Sequence, residues 1–345
     1  MRPPLKFAGE TIPPGRRRIV DIPLSMMSDH TPATLSVQVI HGSREGPTVF
    51  VSAAIHGDEI TGVEIVRRLV QASALKRIAG TVLLIPIVNA FGFIGQSRYL
   101  PDRRDLNRSF PGSEHGSLAS QLAHRFLKDV VSRCDFGIDL HSAAQHRVNF
   151  PQIRFAPEDT RALELAQAFG PPVILESSLR EGSLRQAARD LGVPVIVYEA
   201  GEALRFDEFA IRVGLKGVLK TLKHLGVVSA RGIRPEVAET PVVAKSLWVR
   251  APAGGILRTL RTIGDSVAKG ETIGLISDPF GQEEIPVAAT APGLIVGRTN
   301  LPVINQGDAL FHIAILPKHV KAGTVMETVE QDITGDPLFD EDQII

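Results

Sequence analysis

The chain has 345 residues, 43% hydrophobic and 22% charged, with Lys+Arg and Asp+Glu both at 38 and a formal net charge of zero. This composition suits a globular protein with one large domain and room for a second, and it exerts no global pull toward nucleic acid or an anionic membrane. One cysteine, Cys134, excludes an intrachain disulfide and a thiolate metal cluster and favours a reducing compartment.

The opening segment, MRPPLKFAGETIPPGRRRIV, is rich in proline and arginine and has no apolar stretch of signal-peptide length. No run elsewhere approaches the roughly 20 residues of a membrane span, so a cytoplasmic protein, neither exported nor inserted, is expected. Segments 34–41 (TLSVQVIH) and 48–55 (TVFVSAAI) read as strands around the turn GSREGP. Residues 60–75 have apolar positions at helical spacing, and 81–88 (TVLLIPIV) form a buried strand. A loop then runs to about residue 115; it is dense in Arg, Asp and Asn and longer than a structural connection needs, which points to function. Helix 117–132, strand 135–140, helix 158–169, strand 172–175, helix 183–190, strand 193–199 and helix 206–224 follow.

Strands alternating with helices, and apolar nearly throughout, predict an α/β fold: a mostly parallel or mixed sheet with helices on both faces. Such sheets place their chemistry at the carboxyl ends of strands. Residues 1–230 read as this unit. From 241 to 315 the chain has short strands, Gly and Pro, and no convincing helix. There APAGGI and GDSVAKGETIGLI are echoed by APGLIV and VINQGDALFHI, as in two similar β-halves packed together. Residues 316–345 read as an acidic, loosely held tail.

Four motifs carry chemistry. In IHGDE, directly after a strand, His56 and Glu59 can converge on one metal ion; alternatively Asp58 and Glu59 cap the following helix. In FGIDLHS a parallel strand brings His141 to the same sheet edge, completing the two-His-one-Glu set that catalytic zinc uses with an open position for water. Asp139, two residues earlier, either orients a ligand histidine or caps a turn. In VPVIVYEAG a strand delivers Glu199 to that edge, as a proton acceptor for an attacking water or as the partner of a loop arginine. The fourth motif, RYLPDRRDLNRSFPG, offers Asn107 and Arg108 for a carboxylate. For Arg103, Arg104 and Asp105 mutual pairing at the surface is the preferred reading.

In this order, HGDE, DLNRSFPG, DLHS and YEAG resemble the succinylglutamate desuccinylase and aspartoacylase family, over about residues 45–225. The resemblance implies a zinc carboxypeptidase-like fold, one zinc ion per chain on His56, Glu59 and His141, and Glu199 as general acid/base. It further implies Asn107 and Arg108 on a substrate carboxylate and Arg98 at the scissile carbonyl. It also implies a C-terminal β domain. Residues 241–315 look like a biotinyl/lipoyl-type barrel-sandwich, but SDPFGQEEIPVAATAPG between its halves contains no lysine to carry a prosthetic group. Such a domain is expected to roof the active site or mediate assembly. The expected activity is hydrolysis of a small N-acyl amino acid or related N-acylated amine, with a metallocarboxypeptidase on short peptides as the alternative and a metal-free binding protein as the rival from another class. The expected partner is that small N-acyl substrate, with no nucleic acid and no membrane; homo-oligomerisation is left open.

Overall fold

The structure is a computed structural model and describes residues 2–26, 30–229 and 240–317. The tail expected from 316 therefore lies almost entirely outside the described residues. In chain order the elements begin with β1 (Leu5–Phe7), β2 (Glu10–Ile12), β3 (Arg16–Met26), β4 (Pro32–His41) and β5 (Arg44–Ala53). They continue with α1 (Thr61–Gln71), β6 (Ala79–Ile85), α2 (Ala90–Ile94), α3 (Leu118–Asp129), β7 (Phe136–Ala143) and β8 (Arg147–Phe155). Then come α4 (Thr160–Phe169), β9 (Val173–Glu176), α5 (Leu184–Asp190), β10 (Val195–Glu202) and α6 (Glu208–His224).

The C-terminal stretch holds β11 (Val242–Val243), β12 (Ser246–Arg250), β13 (Gly255–Thr259), β14 (Ser266–Val267) and β15 (Thr272–Ser277). It ends with β16 (Glu284–Ala288), β17 (Gly293–Thr299), β18 (Val303–Ile304) and β19 (Ala309–Ala314). Among the described residues no helix is long and apolar enough to cross a membrane.

The central sheet is mixed, ordered β12-β19-β17-β8-β10-β7-β5-β6-β4-β3 along its main path. Its middle strands β10, β7, β5 and β6 run parallel, and β6 is buried along its whole length, which explains why these segments are apolar nearly throughout. Helices α1, α4 and α6 pack on one face through Ile65, Leu69, Leu165, Phe169 and Val218. Helices α3 and α5 cover the other through Leu122, Phe126, Leu184 and Ala188. Local signals set the ends: Ser117, Asp159, Ser183 and Asp207 each accept a backbone N–H at a helix start, and Gly170 closes α4 with a φ of 66°.

The loop expected to run unbroken to 115 contains α2 and a 3-10 turn over Leu106–Arg108. The predicted turn GSREGP is shorter than expected, because β5 starts at Arg44, which pairs with Ala79 before a bulge resets the register to Thr48 and Thr81. Two features have no counterpart in the sequence reading. The lead-in forms β1 to β3, with β3 hydrogen-bonded along β4. Strand β8 is interrupted by Pro151, yet it sits inside the sheet. On one side it pairs with β17 over Arg147 to Asn149 and with β9 from Gln152 onward, and on the other its register to β10 shifts between Asn149 and Gln152. Pro151 thus occupies the change of partner, where its missing N–H is least costly.

The C-terminal echo has a structural counterpart. β13 pairs with β15 and β18, while the equivalent strand of the second half, β17, pairs with β19 and β14. Each half thus lends a short strand to the other around a shared core of Leu257, Ile276, Ile295, Phe311 and Ile313. Because β17 also pairs with β8, the C-terminal strands extend the central sheet.

Candidate metal centre and active cleft

Strand β5 ends at Ala53, and Ala54 takes a φ of 51°, turning the chain out of the sheet so that His56 is presented at the strand's carboxyl end. Gly57 is required there by close approach: a Cβ would lie 2.0 Å from the carbonyl carbon of Gly92. The His56 carbonyl accepts from the Glu59 N–H at 3.1 Å, closing a turn that folds Glu59 back toward His56. Neither Asp58 nor Glu59 caps α1, whose first turn has no side-chain cap. Glu59 is committed elsewhere, which removes the capping alternative.

The two imidazoles meet on that carboxylate. Nδ1 of His56 lies 2.7 Å from Glu59 Oε1, and Nδ1 of His141 lies 2.7 Å from Glu59 Oε2. One potential ligand atom from each residue falls within 4.8 Å of the others, and all three side chains are buried. Burial works to raise the Glu59 pKa, but the charges and hydrogen bonds of His56 and His141 outweigh it and hold the carboxylate well below its ordinary value.

The outer ring nitrogens are also faced by carboxylates. His141 Nε2 pairs with Asp139 Oδ2 at 2.8 Å, and Asp139 Oδ1 accepts from Ser52 Oγ, so both carboxylate oxygens are engaged by side chains. His56 Nε2 lies 3.3 Å from Asp105 Oδ1, within electrostatic reach though not aligned for a hydrogen bond. The surface-pairing reading of Asp105 is thereby corrected. Arg104 turns to Asp102, while Asp105 accepts from Nε and Nη2 of Arg98 at 3.1 and 2.9 Å and from the Asn107 N–H. Arg98 Nη1 in turn reaches Glu59 Oε1 at 3.3 Å.

Glu199 is brought to this edge by β10, where it is the register partner of His141. Its partner is not a loop arginine but Arg154 of β8, at 3.3 Å, joined by Asn149 Nδ2 at 2.9 Å. Asn107 spends its Oδ1 on the Leu184 N–H at the start of α5, so its NH2 group is the part left for a ligand. Arg108 has no ion pair among the described residues, and burial with neighbouring Arg180 and Arg98 lowers its pKa.

These groups line one cleft of about 340 Å³, which contains His56, Glu59, Arg98, Asn107, Arg108, Asp139, His141 and Glu199. It also contains residues the sequence reading does not single out: Arg147, Asn149, Arg154, Arg180, Arg185 and Trp248. Of these, Trp248 comes from β12 in the C-terminal stretch. Arg185 could have been suspected from its place in the first turn of a predicted helix beside the Glu199 strand. The others lie on β8, on a loop, or far along the chain, and have no motif of their own.

The family model for the succinylglutamate desuccinylase/aspartoacylase catalytic domain matches residues 45–225. The chain belongs to that family. It is 27% identical over 282 residues to the N-alpha-acetyl-L-2,4-diaminobutyric acid deacetylase of Halomonas elongata, covering 78% of this chain and 82% of the relative. The product-bound ectoine utilization protein of Ruegeria pomeroyi superposes with a TM-score of 0.77 at 21% identity, covering 87% of this chain and 95% of that one. A succinylglutamate desuccinylase/aspartoacylase from Rhodobacter sphaeroides gives 0.75 at 24%, covering 88% and 95%. These structures establish the fold, and the family is one of amide deacylases.

Proposed function

We propose that the protein is a zinc-dependent hydrolase of the amide bond in a small N-acyl amino acid or related N-acylated amine. The observation that carries this is the convergence of His56, Glu59 and His141, with Glu199 beside them in the same cleft. Two imidazole nitrogens and a carboxylate suit zinc. The fit is supported by Asp139, which pairs with the far ring nitrogen of His141 as a metal-ligating histidine requires, and by the charge of Asp105, 3.3 Å from the far ring nitrogen of His56.

His56, Glu59 and His141 would hold the ion, which when bound supplies Lewis acidity toward water and toward an amide carbonyl. Glu199, steadied by Asn149 and Arg154, takes the proton of the attacking water and returns it to the amine nitrogen as the C–N bond breaks. The products are a carboxylic acid and a free amine. Arg98, locked by Asp105, steadies negative charge on the carbonyl oxygen. The NH2 group of Asn107 and the guanidinium of Arg108 hold a substrate carboxylate. The Halomonas elongata relative, named a deacetylase, supports a linear amide substrate, and the lone Cys134 agrees with a cytoplasmic setting.

The test is a screen of N-acylated amino acids against the zinc-loaded enzyme, read by release of free amine. Turnover of short peptides with no N-acyl amino acid hydrolysed would replace this reading with a carboxypeptidase.

A further inference from the structure

A second cavity, of about 230 Å³, lies away from the metal centre, at the amino ends of β5 and β6. Its wall takes Arg16 and Arg17 from the start of β3, and Lys76 and Arg77 from the end of a 3-10 turn over Ser73–Lys76 and the residue after it. Ser43, in the turn between β4 and β5, also lines it, and no carboxylate does. Strand β5 is ten residues long, about 30 Å of extended chain, and His56 follows its far end. A ligand held in this cavity therefore stays clear of the metal centre.

The carboxylates on the adjoining elements are already taken. Glu45, two residues past Ser43, is matched to Arg2 at 3.6 Å, Glu10 to Arg18 at 2.9 Å, and Glu64 of α1 to Arg67 and Arg68. Arg16, Arg17, Lys76 and Arg77 have no ion pair among the described residues. In a chain with 38 basic and 38 acidic side chains, four positive charges around one hollow are a local excess and not a sample of overall basicity.

The segments that carry these cations are fixed by the backbone. Gly15 N–H donates to the His41 carbonyl at 2.8 Å, and Gly42 N–H to the Gly80 carbonyl at 2.9 Å, so β3, the β4–β5 turn and the entry to β6 are tied together. Arg17 Nη1 donates to the Val70 carbonyl at 3.1 Å, which leaves its other N–H groups uncommitted. Arg16, Lys76, Arg77 and the Ser43 hydroxyl have no side-chain hydrogen bond among the described residues. His41 lines the cavity but has nothing to offer a ligand, since Nδ1 meets Thr81 Oγ1 and Nε2 meets the Pro3 carbonyl, both at 3.0 Å. A monocarboxylate would offset one of the four charges. Linked phosphate groups offset several, and their oxygens match guanidinium forks and a lysine point charge.

We propose that this cavity is a second binding site, for a compact anion carrying two or more linked phosphate groups, held by Arg16, Arg17, Lys76 and Arg77. It does not depend on the hydrolase reading. The phosphates can be a free diphosphate or the tail of a nucleotide, and the two sources are separable.

The experiment measures binding of inorganic pyrophosphate and of ADP to the zinc-loaded full-length protein by calorimetry, and locates it by hydrogen exchange. One equivalent should bind and slow exchange at residues 15–18, 41–44 and 75–78. Arg16→Gln/Arg77→Gln should weaken binding at least about 10-fold, as loss of charge-assisted hydrogen bonds requires, and leave hydrolysis in the absence of probe unchanged. Lys269→Gln, which removes one exposed charge elsewhere, should change affinity by less than about 2-fold. Tighter binding of ADP than of pyrophosphate assigns the site to a nucleotide, and the reverse order to a free diphosphate. The proposal is overturned by no binding of either probe, by slowed exchange confined to residues 54–60 and 104–108 of the cleft, or by equal weakening in the double variant and Lys269→Gln. Tighter binding of hexaglutamate than of both probes would also overturn it, in favour of an acidic protein partner.

Discussion

Asn149 donates its side-chain N–H to Glu199 Oε2 at 2.9 Å, joining a strand that carries no recognisable motif to the carboxylate at the centre of the proposed chemistry. Arg154 holds the other oxygen, so the aim of Glu199 is set by β8. Replacing Asn149 with Ala should lower kcat about 10-fold with little change in KM, since the variant loses positioning and not the proton carrier. A KM effect without a kcat effect would assign Asn149 to substrate binding.

Glu199→Gln keeps the shape of the side chain and removes its capacity to carry a proton. Metal content should stay at one ion per chain while turnover falls by roughly 10²–10⁴-fold. Activity within a few-fold of wild type would end the proton-transfer assignment.

His141→Ala removes one donor from the buried set of three. Purified protein should contain little or no zinc by elemental analysis, and zinc should no longer raise its melting temperature. In the wild type a metal at about 1,000 times its Kd contributes about 4 kcal/mol to stability. A variant that binds and is stabilised by zinc as the wild type does would refute the assignment of this centre.

Asp105 faces His56 Nε2 and receives two donors from Arg98. Asp105→Asn keeps the size and removes the charge, so Arg98 loses its ion pair and His56 the negative charge facing its outer nitrogen. Zinc affinity should drop about 10- to 100-fold, the range for loss of a partner behind a ligating histidine. Competition against a chelator of known affinity measures this; an unchanged zinc affinity would return Asp105 to a purely structural role.

Burial, with the nearby Arg154 charge, pushes the His312 imidazole down to about 4. In the unfolded chain it titrates near 6.5. Between those values the unfolded state takes up a proton that the folded state refuses, so stability should fall as pH drops from about 6.5 to about 4 and then level off, by at most about 3 kcal/mol from this group. His312→Phe keeps a ring against Trp248 and removes the titration. Urea unfolding across that range should show a shallower pH slope in the variant, and identical slopes would exclude His312 as the cause.

Much of this molecule was legible in its order of residues. Uniformly apolar segments such as 81–88 report strands buried on both faces, and periodic segments such as 206–224 report the helices that cover them, because burial imposes its pattern locally. His56, Glu59, His141 and Glu199 could be named for the same reason: each stands at the end of such a strand, where a parallel sheet places its reactive groups. Other features depended on tertiary structure. Strand β8 mixes polar and apolar residues around Pro151, and only the change of pairing partner at that residue makes it a strand of the sheet interior. Asp105 looks like a surface charge until the loop folds it against His56 and Arg98. Trp248 and Arg147 are 101 positions apart and meet because β17 adds to the edge of β8. Local pattern reveals what each segment must bury, whereas the pairing of distant segments, which no short stretch encodes, decides which polar groups share the cleft.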